Sequence, residues 1–286
     1  DNSLLAVRDI NHKHIVVDSE GKEDPVIQIN GSVRMQVRIQ LDALAQEDYR
    51  LFQSRLVPGI TGILGVRTPD LRRLGKKIKQ EEKWQEYIEE VSAAWKEKGQ
   101  GEQGVLYEEM LLWALCICNG CEDWETARTY AKAFIPAVNN WAVCDLFCCS
   151  FKQALRWKEE AWDFLQPYFQ SEEEYDLRFA VVLSMTCFKE PEDLERVLPY
   201  LDQVRHEGYY VKMAVAWAVS IYFVYFPERM MKYLKESSLD DWTYNKALQK
   251  IRESDRVDRQ TKEEIRLMKR PGGTKGDRGR GAALLD

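Results

Sequence analysis

Trp141 and Asp145 stand four residues apart in the run Asn139-Asn140-Trp141-Ala142-Val143-Cys144-Asp145. On a helix that spacing is one turn, so the indole and the carboxylate share a face. Val143, Leu146 and Phe147 surround them, and a carboxylate in such apolar company is costly unless it has a partner or a task. Two chemistries fit. One is structural, a buried Asp satisfied by an arginine or by backbone amides, and it is the commoner arrangement. The other is catalytic, a carboxylate held beside an aromatic wall to meet a cationic ligand or a cationic transition state.

The sulfur and imidazole groups point elsewhere. Seven cysteines (116, 118, 121, 144, 148, 149, 187) fall in apolar, helix-like stretches, as free buried thiols in a reducing compartment do. Cys116-x-Cys118-x-x-Cys121 lacks a second Cys pair, and two of the three histidines, His12 and His14, lie near the N-terminus. A metal site is not expected.

The elements that must carry these residues are helices. With 286 residues, 45% hydrophobic and 31% charged, the chain can bury a sizeable core. A net charge of -6 excludes a bulk-basic nucleic-acid binder but leaves room for a local basic face. No apolar run reaches the ~18–20 residues of a membrane span, and no secretory signal opens the chain. We therefore expect a cytoplasmic monomer without membrane association, in the bacterial cytosol or nucleoid.

Residues 1–32 read as an irregular extension with strand-like Ile15-Val16-Val17 and Val26-Ile27-Gln28-Ile29. Residues 33–270 read as helix after helix, and 271–286, rich in Gly, Arg and Lys, as a disordered tail. In Arg67-Thr68-Pro69-Asp70, Thr68 is placed to N-cap, Pro69 to open a helix and Asp70 to complement its dipole. Ala180, Ala214 and Ala247 recur at intervals of 34 and 33, each inside a similar helix pair. Such a period marks an all-α solenoid, an α-α superhelix with a concave groove. Asp145, Arg178, Lys212 and Asn245 or Lys246 align with the repeat, with Lys152, Lys189, Lys250 and Arg252 as neighbours. That set, with Trp141 and Trp217, suits a phosphate-backbone ligand.

Five segments in order carry a resemblance to a known family: Ile63-Leu-Gly-Val-Arg-Thr-Pro-Asp-Leu-Arg72, Trp141-x-x-x-Asp145, Leu177-Arg178-Phe-Ala, Tyr209-Tyr-Val-Lys-Met-Ala-Val-Ala-Trp217, and Asn245-Lys-Ala-Leu-Gln-Lys-Ile251. Together they resemble the AlkD-like DNA glycosylases of alkylation repair, which are built from HEAT-like repeats. The likeness runs from about Ala43 to Lys269. It implies base excision repair, a hydrolase cutting the N-glycosidic bond of cationic N3-methyladenine- or N7-methylguanine-type purines in duplex DNA, with no cofactor. It implies Asp145 as the stabiliser of an oxocarbenium-like sugar and Trp141 and Trp217 as its aromatic walls. Arg178 would hold a phosphate or pair with Asp145, and Arg67, Arg72, Lys76, Lys152, Lys212, Lys246 and Lys250 would contact DNA.

The sequence also departs from the family. Val219-Ser220-Ile221 stand where some relatives have a basic residue, and Ala142, Val143 and Cys144 make the Trp-Asp helix unusually apolar. The alternative is a weak or inactive HEAT-like paralogue acting as a nucleic-acid- or protein-binding scaffold. A protein-binding solenoid predicts apolar patches on the concave face. The glycosylase requires Asp145 on that face and within reach of it.

Overall fold

The computed structural model describes residues 31–271 and the backbone of an antiparallel strand pair, β1 (Leu5–Arg8) and β2 (His14–Val17), in the register Leu5↔Val17. Ile15-Val16-Val17 is thus a strand, as its composition predicts, while Val26–Ile29 and the 272–286 tail fall outside the described residues.

The described residues from Val33 onward fold as an all-α superhelix. Its inner layer is α3 (Thr68–Gln80), α5 (Tyr107–Gly120), α7 (Trp141–Ser150), α10 (Glu174–Cys187), α12 (Tyr209–Tyr225) and α14 (Asp241–Glu253), each packed beside the next. Behind them lie α1 (Val33–Leu44), α4 (Trp84–Lys98), α6 (Trp124–Phe134), α8 (Lys152–Arg156), α9 (Lys158–Leu165), α11 (Pro191–Gln203), α13 (Pro227–Glu236) and α15 (Arg259–Leu267). The landmark residues Ala180, Ala214 and Ala247 are fully buried. Their small side chains allow neighbouring inner helices to approach closely.

Local chemistry sets the helix ends. Asn140 caps α7 by accepting from the Val143 amide at 3.0 Å, and Asp123, Asp240 and Asp258 cap α6, α14 and α15 in the same way. Prolines open α11 and α13, where a missing N–H costs nothing. One expectation shifts by a residue. The helical ladder of α3 starts at the Arg67 carbonyl, which accepts from Leu71 N, so Arg67 is the cap and Thr68 is already helical.

Two buried glutamates on α5 tie the N-terminal third together. Glu108 accepts from the amides of Leu64 (3.0 Å), Gly65 (2.8 Å) and Val66 (3.3 Å). That fixes the loop feeding Arg67 and α3. Glu109 binds Arg34 at 2.7 Å, Arg38 at 2.9 Å and its own cap amide, Leu106 N, at 2.9 Å, pinning α1. Burial pushes both carboxyls up. Glu108 stays raised, whereas the two arginines bring Glu109 below its ordinary value.

Candidate active site

α7 is apolar almost all round, and its accessible stripe runs Trp141, Ala142, Leu146 and Cys149. Asp145 stands at helical spacing between Trp141 and Cys149 but is itself buried, only 5% exposed. Arg178, on the adjacent α10, grips it from the side. Its Nε donates to Oδ1 at 2.9 Å and its Nη2 to Oδ2 at 2.8 Å. Its Nη1 donates to the Tyr210 carbonyl in the first turn of α12 at 2.7 Å. Three helices therefore meet at one guanidinium. The structural reading of Asp145 is what the geometry shows, a buried carboxylate satisfied by an arginine.

The electrostatics follow from burial. Burial opposes the charge on Arg178, but Asp145's charge and hydrogen bonds outweigh it and leave the guanidinium above its usual range. With three nitrogens committed to protein acceptors, Arg178 is placed to pair with Asp145 rather than to receive a phosphate. Each carboxylate oxygen has given up one lone pair to Arg178, so each keeps further acceptor capacity.

The tryptophans are fixed differently. Trp141 donates its indole N–H to the Leu56 carbonyl at 2.8 Å, which sets the ring's orientation against the end of α2 (Glu47–Leu56). Trp217 lies two turns beyond Tyr210 on the same face of α12 and is partly exposed. Beside it the accessible stripe of α12 is Met213, Ile221 and Val224, which is apolar.

The expected DNA-contacting cations divide into groups. Arg72 is exposed and donates to Ser150 Oγ at 3.1 Å at the end of α7, with Lys76 one turn along and Lys152 just past the same helix end. Lys250 is half-buried near Arg178. Burial lowers its ammonium pKa, and the charges of Lys246 and Arg178 push the same way. Lys246 lies over the Trp242 ring at 5.5 Å, and Lys212 pairs with Glu207 at 3.1 Å. Arg67 stands apart, 4.7 Å over the Tyr49 ring and bonded to Gln46. Asn245 does not join the groove. It is buried and exchanges two 2.9 Å bonds with the Arg270 backbone, because a buried amide must satisfy both its ends.

The sequence profile of a family described as DNA alkylation repair enzyme matches residues 37–251, and this span contains the whole Asp145–Arg178–Tyr210 constellation. The chain belongs to that family. The membership gives it a role in DNA alkylation repair. No curated protein matches the chain. Among the described residues no helix is long and apolar enough to cross a membrane.

Three features of this family member escape a reading of its sequence. The Tyr210 acceptor is backbone, which carries no residue signature. Cys149 is exposed, unlike the six other cysteines, because it continues the accessible stripe one turn past Asp145. Finally, α2 has no buried residue and presents Leu51 (45% exposed) and Phe52 (51%), with Tyr49 and Phe52 stacked at 5.9 Å. Its end is joined to the site through the Trp141 indole, bonded to the Leu56 carbonyl. The signal is in Tyr49-Arg-Leu-Phe52, where aromatic and basic residues interleave.

Proposed function

We propose that the protein is a DNA glycosylase that hydrolyses the N-glycosidic bond of positively charged alkylpurines, of the N3-methyladenine and N7-methylguanine type, in duplex DNA. The observation that carries the reading is Asp145, held by a two-pronged arginine one helical turn from the partly exposed Trp141. Alkylation at N3 or N7 already makes the base a cation, so it departs as a neutral purine when the C1′–N bond breaks and its electrons return to the ring. The charge then resides on the sugar. A fixed carboxylate in a dry, preorganised setting stabilises it without reorganising. Water adds to C1′, and its proton passes to the Asp145 carboxylate and on to solvent.

Arg178 holds the carboxylate in place, the faces of Trp141 and Trp217 attract the developing cation, and Arg72, Lys76, Lys152, Lys246 and Lys250 hold phosphates. Arg67 and Lys212 serve the flanks. The reaction needs no metal and no organic cofactor, and the protein acts as a cytoplasmic monomer. The test is release of N7-methylguanine from methylated duplex by the wild type and by Asp145→Asn. Release unaffected by the substitution removes Asp145 from the chemistry.

One observation favours a second reading, a scaffold. The Met213-Trp217-Ile221-Val224 stripe gives the concave face an apolar patch of the kind a protein ligand covers. A folded protein that neither binds duplex DNA nor releases any base would support it.

A further inference from the structure

The C-terminal ends of the inner helices form one rim of the superhelix, and cations collect along it. Lys152 lies just past the end of α7, and Arg72, from the second turn of α3, reaches the same end through Ser150 Oγ. The next inner helices bring Lys189, just past α10, and Arg256, just past α14, to Tyr225, the last residue of α12. Lys189 Nζ is 5.5 Å and Arg256 Cζ 5.4 Å from the centre of that ring. Tyr225 is 44% exposed. Neither cation has an ion-pair partner among the described residues. On the outer layer, by contrast, Arg196 pairs with Glu159 and Arg229 with Glu195 in the neighbouring repeat.

We propose that Lys189, Tyr225 and Arg256 form a clamp for the phosphate backbone of duplex DNA, continuing the track begun by Arg72 and Lys152. Helix C-termini carry partial negative charge, so a phosphate approaches this rim only where cations more than neutralise it. The ring orders two long side chains before any ligand arrives, which lowers the entropy lost on binding. The clamp also addresses a gap in the groove. The accessible stripe of α12 carries no cation between Met213 and Val224, so a backbone crossing that helix finds charge at its end instead. The proposal rests on the reading that this protein holds duplex DNA.

The test is the salt dependence of binding to a labelled undamaged duplex, followed by anisotropy. Lys189→Gln and Arg256→Gln are each expected to weaken binding several-fold at low salt and to flatten the slope of log K against log salt by about 0.9. Tyr225→Leu is expected to weaken binding as well, although it removes no charge. Lys235→Gln on the outer α13 serves as the control and should change nothing. If Arg72→Gln and Lys152→Gln flatten the slope while the Lys189 and Arg256 variants match wild type with unchanged thermal stability, the clamp is wrong and the groove stands. If the wild type itself binds no duplex, both fall.

Discussion

At the scale of residues, the question is what Arg178 does for Asp145. Two charges removed from water gain little net stability from each other, but stripping one partner exposes the full desolvation cost of the other. Arg178→Ala should therefore destabilise the fold by about 3–5 kcal/mol, read from urea unfolding. The double replacement Asp145→Leu with Arg178→Met should recover most of that loss, because no buried charge is left alone. If the single and double variants unfold alike, the pair does not bind in the manner described. The sequence exposed Asp145 and Arg178 as repeat-aligned residues. The resemblance offered their pairing as one of two roles for Arg178, and only the structure chooses it, because contact across a solenoid depends on the rotation between neighbouring helices.

At the scale of elements, α3 and α7 are positioned by features that sit far from the chemistry. Gly65, in the Leu-Gly-Val segment, has φ +87°, and a Cβ there would overlap the Gln46 carbonyl. Gly65→Ala should cost about 2 kcal/mol or more from backbone strain alone, visible as a lower melting temperature. It should also loosen α2 against Trp141.

Glu109 supplies a pH signature. Its folded pKa lies below its ordinary 4.5, so the stability it contributes is fully present above that value. The contribution is lost as pH falls through the depressed folded value. Glu109→Gln should remove this acid-side dependence and cost roughly 3 kcal/mol at neutral pH, the low end for a buried pair. Arg38, one of its partners, is 34% exposed and keeps some solvent. Urea titrations across the acid range check both. The opening of α3 at Pro69 was legible in the sequence to within a residue because helix starts are set locally. Glu108 and Glu109 were not, since their partners lie more than 40 residues away in Gly65 and 75 away in Arg34.

At the scale of the whole molecule, an acidic chain holds its basic residues on selected edges. The 34- and 33-residue recurrence of Ala180, Ala214 and Ala247 made the superhelix legible, since repeats that bury the same position must stack. The groove's lining was less legible. The alignment that placed Asp145 and Arg178 also placed Asn245, which the structure turns inward to the Arg270 backbone. The apolar stripe of α12 was hidden because all sides of that helix read as hydrophobic. Duplex binding should depend on the Arg72 and Lys152 edge. Replacing both with Gln should flatten the slope of log K against log salt by about 1.8, equally for methylated and unmodified DNA.

The central claim is that Asp145 stabilises a sugar cation, and base release tests it most directly. Wild-type protein is expected to liberate N7-methylguanine from methylated duplex. Asp145→Asn should do so about 10²–10³-fold more slowly while binding the duplex as tightly. Equal release by the two proteins would contradict the account.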